Sequence, residues 1–575
     1  MPKKIFKYFS DNKALVIIIL ITVVLRLYKI SSNPPALNWD EVSHGYNAYS
    51  ILKSGKDEWG NFFPIIFRAY GDYKLPVYIY ATAKAEILFG LNVFAIRFPS
   101  VLAGILSVIF TYLLVFQLFV DRQHKPFKVK HIALLSALLV AIEPWSLFLS
   151  RGAFEANLAL TFIMAGVYLF LKGINRSANY FLPSIIMFGF SVWTYNSARI
   201  FTPLFIIFIS FLYRNELCKS LKTKKILIYC LMFVFSISFL PMFWQLINQT
   251  GRARYSWVSI IDEGAIAKIN EARNSSDLNP FLNRLVNNKV TYFTKEFTGN
   301  WMRHYSADYL FFKGGNDYQF NIPGKGLIYP VNALFLIVGV LLLLKRRDKQ
   351  AFLLLGWFYL GSIASSLTRE SPHVLRSITM LPSPMILTAY GFISLFGLLK
   401  NRFFERLCRA GVFIYLILLT VSLCGYLKTY FNEYKRLYSW SWQYGYREAV
   451  LYIKDNYERY DKVIFTKKYG EPHEFLLFFW PWDPLAYQND PDLNRFYQSK
   501  WYWVDRFDKF WFVNDWDIPS EEWQDFVLES GEYFNCNGKH CLLVTSPGNA
   551  PKNWKIFKTI NFLDGSIAFE MYKNF

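Results

Sequence analysis

Long apolar runs dominate the first three quarters of the chain. Each approaches or exceeds the roughly 20 residues that an α-helix needs to cross a bilayer. They predict spans near 14–29, 94–119, 131–149, 156–172, 181–196, 200–213, 226–246, 327–344, 351–367, 376–398 and 410–428. The pattern is that of a mainly α, polytopic transmembrane bundle of about eleven helices. After Lys428 the apolar runs stop. Gly445 to Tyr457 keeps a helical period, whereas Lys462 to Thr466, Phe510 to Val513, Cys541 to Thr545 and Ile567 to Tyr572 read as strands. The expected organisation is a transmembrane domain over 1–428 and a small α/β domain over 429–575. A polar loop over 247–326, with Gly251-Arg252-Ala253-Arg254 near its start, is long enough to carry function or cover a site.

Charge orients this pattern. Only 18% of the 575 residues are charged, against roughly 25% in soluble domains. The net charge is +21, and it is unevenly placed. With the N-terminus inside, the short inner segments together carry +18, the first outer loop (30–75) carries −1, and 429–575 carries −4. Lys and Arg held on one side follow the positive-inside rule. The basic balance therefore reports topology, and nucleic acid is excluded as the expected partner. The lipid bilayer is the expected surrounding, with 429–575 extracytoplasmic and the chain multi-pass in the cytoplasmic membrane. The first apolar segment lacks a small-residue cleavage site and reads as an anchor.

Six cysteines add one local expectation. Cys218, Cys230, Cys408 and Cys424 lie in or beside spans. Cys536 and Cys541 flank Asn537-Gly538, a hairpin signal, in a segment placed where oxidation is permitted. A hairpin disulfide is favoured there over two free thiols. A metal held by Cys536, His540 and Cys541 lacks an evident fourth ligand.

Candidate chemistry lies at the outer ends of the spans. Asp40 and Glu41 follow Asn33-Pro34-Pro35 and Trp39, just past the first span, and His44 and Tyr46 come next. A carboxylate there can take the proton of an acceptor hydroxyl as general base, although interfacial acids are commonly just solvated. Lys74, in Gly71-Asp72-Tyr73-Lys74-Leu75-Pro76, closes the same loop. It either snorkels or meets a phosphate as a point charge. Glu143-Pro144-Trp145 puts an acid within a span, where ionisable groups are rare and face the bundle interior. Arg151 and Glu155, four apart, make a plain ion pair or part of a site. Arg199 follows Trp193-Thr194-Tyr195-Asn196, and His373 and Arg376 lie in Arg369-Glu370-Ser371-Pro372-His373-Val374-Leu375-Arg376. Guanidinium groups suit phosphate oxygens, and snorkelling explains each Arg taken singly. One topology nevertheless puts Asp40, Glu41, Lys74, Arg151, Glu155, Arg199, His373 and Arg376 on one side. Acids and bases gathered there suit a lipid phosphate leaving a sugar.

With these motifs the chain resembles membrane glycosyltransferases of the GT-C type, over about residues 1–400. Within that type it resembles the bacterial branch similar to protein O-mannosyltransferases and aminoarabinose transferases. The resemblance implies that Asp40 of the acidic pair is the catalytic base. It implies that Lys74 of Lys74-Leu75-Pro76 stands at the family's Lys-Pro-Pro motif, where Lys contacts the lipid phosphate; here Leu75 replaces the first Pro. Glu143-Pro144-Trp145 and Ser150-Arg151-Gly152-Ala153-Phe154-Glu155-Ala156-Asn157 look like a stretch whose Arg and second acid lie near the sugar. The Trp-Trp-Asp-Tyr-Gly motif of oligosaccharyltransferases is absent, and Trp440-Ser441-Trp442-Gln443-Tyr444-Gly445 only echoes it. No stretch resembles the β-trefoil region of eukaryotic mannosyltransferases.

The implied reaction moves one sugar from a polyprenyl-phosphate donor to an acceptor protein, lipid or cell-wall glycan. Asp40 is the expected base, and Glu41, Lys74, Arg151, Glu155, Arg199, His373 and Arg376 are the expected substrate-binding residues. No cofactor is required by this scheme, and a divalent metal, although some relatives use one, is not predicted. The alternative is a transporter or flippase without chemistry, which commonly shows inverted repeats. None is visible, and the acids cluster at one face. A scaffold with a decayed site is a third reading, and the retained acid pair and Lys74 argue against it.

Overall fold

The computed structural model describes residues 12–71, 73–119, 126–248, 257–398, 402–498 and 501–575. Two compact units are present. One comprises Met1–Tyr28 with Ser100–Leu427, the other Lys29–Pro99 with Lys428–Phe575. The first outer loop is thus grouped with the C-terminal segment, whereas sequence pattern divides the chain at 428.

In the first unit every apolar run contains a helix, but several are interrupted. Five described helices are long and apolar enough to cross a membrane, or six if the bent pair Asn196–Leu212 and Arg214–Leu221 is one span. The interruptions have local causes. The run 131–149 is cut into Pro126–Ile142 and Pro144–Leu149, because a residue before proline is driven to extended backbone, as Glu143 is. The run 351–367 gives Lys349–Leu360 and Ile363–Ser366, separated at Gly361. A Cβ on Gly361 would sit 2.6 Å from the Met380 backbone, so the close approach needs glycine. The same device joins helices Ala333–Arg346 and Ser383–Leu398, whose Gly339 and Gly391 each face a partner carbonyl. The described part of 247–326 forms helices Glu263–Asn274, Pro280–Val286 and Lys289–Arg303 and a π-turn Asp308–Phe312. Gly251-Arg252-Ala253-Arg254 and Asp72 lie outside the described residues.

The second unit holds two helices from the early chain, Trp39–Ser54 and Pro76–Phe89. It also holds a seven-stranded sheet. Its strand order is Lys555–Asn561, Ile567–Lys573, Cys541–Thr545, Lys462–Thr466, Phe510–Val513, Trp501–Phe507 and Asn494–Gln498. The central strand, Lys462–Thr466, runs parallel to both its neighbours, and the other pairs are antiparallel. Cys541–Thr545 is buried along its whole length, hence its continuous apolar run. Cys536 and Cys541 form a disulfide, while Cys218, Cys230 and Cys424 are free and exposed.

Candidate active site

The acidic pair opens the helix Trp39–Ser54. Asn38 is its N-cap: the Asn38 side chain accepts from the Glu41 amide (2.9 Å), and the Glu41 carboxylate accepts from the Asn38 amide (3.3 Å). This reciprocal capping box satisfies two otherwise orphaned donors. It also turns Glu41 inward. The Glu41 carboxylate takes two bonds from the Arg97 guanidinium, at 2.9 and 3.0 Å, and both side chains are buried, at 1% and 0% exposure. Arg97 further donates to the Ile30 and Pro34 carbonyls (2.8 and 3.1 Å) and to that of Ala36. Bidentate geometry and backbone acceptors together make a buried charge tolerable.

Asp40 points the other way. Its side chain is 44% exposed and meets the Lys74 ammonium, which is 14% exposed. Lys74 ends a two-residue strand paired with Phe67–Arg68, immediately before the helix Pro76–Phe89, whose first residue is a proline suited to that place. One turn beyond Asp40, His44 is buried with its ring 5.1 Å from that of Tyr78. Burial first, then the nearby Lys74, pulls the imidazole down to about 3, so it is neutral at physiological pH.

The backbone around Asp40 is held from far along the chain. The Trp39 amide donates to the Gln443 side chain (2.7 Å), and the Tyr70 hydroxyl donates to the Trp39 carbonyl (3.0 Å). The Gln443 amide in turn donates to the Tyr469 carbonyl. Trp442 lies under the Arg97 guanidinium, 5.8 Å from its ring centre, and donates to the Tyr434 hydroxyl. Gly470 has φ +103°, and a Cβ there would collide with the Trp39 ring.

Beneath the same helix lies a buried acid cluster. Glu58 follows the helix, while Glu471 and Glu474 open the helix Pro472–Phe479 that packs on it. Burial pushes Glu471 up to about 8 and raises Glu58, and burial together with the neighbouring Glu58 raises Glu474. Trp501 donates to Glu471 (2.6 Å) and Trp59 to Glu58 (2.9 Å). Arg495 stacks on Trp59 and Tyr487. Among the described residues no group of three or more His, Cys, Asp or Glu is arranged to hold a metal ion.

The other five expected residues belong to the first unit. Arg151 is buried and donates to the carbonyls of Leu25 (2.6 Å), Arg26 (3.1 Å) and Tyr28 (2.7 Å), which end the first helix. Arg26 answers by donating to Val140 and Ala141 at the end of another helix. These two guanidinium groups exchange caps between helix C-termini. Glu155 opens Glu155–Asn175. Arg199 donates to the Val192 carbonyl (3.2 Å) and Gln245 (2.8 Å). Arg376 joins Thr368 (3.0 Å) and Glu370 (3.1 Å), and its amide meets the His373 ring at 3.3 Å. Thus Asp40, Glu41 and Lys74 are gathered in one unit, His373 and Arg376 are neighbours in the other, and Arg151 is engaged by main-chain carbonyls.

Arg97, Asn38 and Gln443 escaped the sequence reading. Asn38 carried a signal, since Asn followed three residues later by Glu is a capping-box pattern. Arg97 carried one too, being a charge inside an apolar run. Gln443, 404 residues from its partner, carried none.

A family model described as dolichyl-phosphate-mannose-protein mannosyltransferase matches residues 16–250. Among solved structures the chain is similar to ArnT from Cupriavidus metallidurans. In the apo state that similarity has a TM-score of 0.55 at 11% identity and covers 98% of each chain. For ArnT bound to undecaprenyl phosphate the TM-score is 0.52 at 11% identity, covering 97% of this chain and 98% of that one. The oligosaccharyltransferase AglB from Archaeoglobus fulgidus, in complex with an inhibitory peptide and a dolichol-phosphate, aligns with TM-score 0.48 at 15% identity. That alignment covers 82% of this chain and 64% of AglB, so the chain spans somewhat less than two thirds of the archaeal enzyme. No curated protein matches the sequence. The likeness to ArnT extends over nearly the whole of both chains and shows a shared fold.

Proposed function

We propose that this chain, a membrane glycosyltransferase of the GT-C type, transfers a single sugar from a polyprenyl-phosphate donor to an acceptor hydroxyl at the outer face of the cytoplasmic membrane. One observation carries the reading: a partly exposed carboxylate, Asp40, stands on a rigidly held helix start with the Lys74 ammonium against it. Both residues fall in the stretch matched by the mannosyltransferase family model.

In the proposed reaction the acceptor oxygen attacks the anomeric carbon while Asp40 takes its proton. The bond from that carbon to the phosphate oxygen breaks, and the lipid phosphate leaves with the electron pair. Lys74 stabilises the developing charge on the phosphate. The Asp40–Lys74 pair gives the step an order. An arriving donor phosphate competes for the ammonium, draws Lys74 away and frees the carboxylate for the acceptor. Glu41 is proposed as a positioning residue, since its carboxylate is committed to Arg97 and the cap. Arg151, Glu155, Arg199, His373 and Arg376 remain proposed donor and sugar contacts, with Arg151 the weakest of them because its guanidinium already serves three carbonyls. The scheme as proposed needs no cofactor. That ArnT has been seen with undecaprenyl phosphate supports a lipid-phosphate donor here.

Asp40→Asn tests the reading, because it keeps shape and hydrogen bonding but removes basicity. General-base catalysis contributes roughly 10²–10⁴-fold, so transfer by the purified variant should fall by about that factor while donor binding persists. Transfer at the wild-type rate would remove Asp40 as the base. If Glu41→Gln were then inactive with an unchanged melting profile, the two acids would exchange roles.

A further inference from the structure

The helix Pro76–Phe89 is built inside out. Its buried positions include Thr82 and Glu86, at 0% and 5% exposure, while Ile87 and Leu88 point outward at 68% and 72%. Thr82 and Glu86 lie one turn apart on the inward face. Neither the Thr82 hydroxyl nor the Glu86 carboxyl has a hydrogen-bond partner among the described residues. A helix in water shows the opposite arrangement, with polar groups outside and apolar ones on the core. Where the surroundings are hydrocarbon, ionisable groups turn to the protein interior and apolar side chains face out. Lys84, the other charged residue of the helix, is exposed, and its stem is long enough to bring the ammonium to lipid head groups.

The apolar outer face continues beyond the helix. Tyr80, on the same face as Lys84 and Ile87, donates its hydroxyl to the Pro64 carbonyl (2.9 Å). Around Pro64, the side chains of Phe62, Phe63 and Ile65 are exposed. That loop is closed at its base, where the Phe63 amide donates to the Gly55 carbonyl (2.9 Å). An exposed apolar surface of this size marks a contact with a membrane or a partner. Chain continuity decides between them. Only Gly90, Leu91 and Asn92 separate the helix from Val93–Phe119, which is long and apolar enough to cross a membrane. The Phe89 ring packs on Phe94 and Phe98 of that helix, at 5.0 and 5.1 Å. The exposed end Ile87–Phe89 therefore lies where the chain enters the bilayer. With 14 residues the helix Pro76–Phe89 is about 21 Å long, too short to cross the roughly 30 Å hydrocarbon core itself.

We propose that Phe62, Phe63, Ile65, Ile87 and Leu88 are inserted into the hydrocarbon of the leaflet at which Val93–Phe119 enters the membrane. The loop after the first span is then anchored in the lipid surface and not suspended in water. The anchor does not rest on the glycosyl-transfer reading. What it adds to that reading is depth, because Lys74, two residues before the helix, is then held at the level of the lipid phosphates.

The test uses the full-length protein carrying Cys218→Ser, Cys230→Ser, Cys408→Ser and Cys424→Ser, reconstituted in vesicles of phosphatidylethanolamine and phosphatidylglycerol. A nitroxide is attached at Phe62→Cys, at Leu88→Cys or, as the water reference, at Glu522→Cys. All three positions are exposed, so the substitutions leave the packing of the unit intact. Power saturation with oxygen and with a water-soluble nickel chelate reads depth. The labels at 62 and 88 should favour oxygen over nickel relative to the reference and lie about 5–10 Å below the head groups, the depth of an interfacial helix. Either of them matching the water reference would overturn the proposal. So would a label at either position shielded from oxygen and nickel alike, which would give the surface to a protein partner.

Discussion

Replacing Arg97 by methionine should disable the acidic helix without touching Asp40. The change removes both bonds to Glu41 and the donors to the Ile30, Pro34 and Ala36 carbonyls. Glu41 would then be an almost completely buried carboxylate deprived of its guanidinium partner. Breaking a buried pair by deleting one partner costs about 3–5 kcal/mol, because the remaining charge is uncompensated. The unpaired carbonyls add to that, although not additively. The opposite deletion is gentler. Glu41→Gln leaves Arg97 its three carbonyl acceptors and keeps a side chain able to serve the cap. Adding Glu41→Gln to Arg97→Met should therefore recover about 0.5–3 kcal/mol, the range of coupling for residues in contact. Hydrogen exchange reads the effect locally: amides of Trp39–Ser54 should lose protection in Arg97→Met, regain part in the double variant, and change little in Glu41→Gln. Thermal unfolding followed by tryptophan fluorescence should rank the three proteins in the same order. Transfer activity should fall with protection, since a displacement of about 1 Å can cost on the order of 100-fold. If Arg97→Met kept wild-type protection and melting, the pair would not be what holds the helix, and the positioning role given to Glu41 would fall with it.

Other expectations follow from the same geometry. Lys74→Ala should weaken use of the donor more than use of the acceptor, and Lys74→Arg should restore part of it; unchanged donor kinetics in Lys74→Ala would leave only a snorkelling lysine. The acid cluster beneath the helix sets a pH dependence. Glu471 is raised from 4.5 to about 8 by burial, and Glu58 and Glu474 are raised too, so the protonated forms favour the fold. Their support is complete below the ordinary carboxyl range and is lost as pH rises toward about 8. Melting temperature should accordingly fall between pH 5 and 9, and Glu474→Gln should flatten the fall; parallel profiles would refute the assignment. His473, held well below its ordinary value by burial, acts in the opposite direction, weakening the fold as pH drops below about 6.5. A cysteine introduced at exposed Glu522 should react with an impermeant reagent in intact cells, and protection until lysis would reverse the proposed orientation.

How much of this could be read from the chain depended on how local each cause is. The long apolar helices of the first unit follow from apolar runs alone, because a span satisfies its own backbone. Their interruptions were less legible. Pro144 announces its break, whereas the break at Gly361 exists because the Met380 backbone approaches it. Four strands were legible where burial makes them continuous or alternating, as in Cys541–Thr545. Asn494–Gln498, Trp501–Phe507 and Lys555–Asn561 mix aromatic and charged residues and gave no clean period. Around the acidic pair, Asp40 and Lys74 stood out by chemistry and position. Their pairing did not, since it needs the short strand contact between Phe67–Arg68 and Tyr73–Lys74. Arg151 shows the converse. The pattern Arg-x-x-x-Glu suggests an ion pair or a sugar contact, and it gives no hint that the guanidinium also caps a distant helix end.

The arrangement at Asp40 separates two demands that the proposed reaction would place on one residue. Its backbone is fixed from three directions: by the Asn38 cap, by Glu41 through Arg97, and by Gln443 holding the Trp39 amide. Its side chain stays partly exposed, tied by an ion pair that a phosphate can contest. A base carried on a loose loop would lose orientation each time it released its partner. Here the main chain does not depend on that partner, so under the proposed reaction the carboxylate would exchange Lys74 for an acceptor hydroxyl with the helix start unmoved. This also explains why Lys29–Pro99 and Lys428–Phe575 form one unit. Trp442, Gln443 and Gly470 come from the far end of the sequence, yet each contacts Trp39 or Arg97. The segment after Lys428 is therefore part of the support of the acidic helix, and if the proposed reaction holds a substitution there should alter transfer without approaching any substrate.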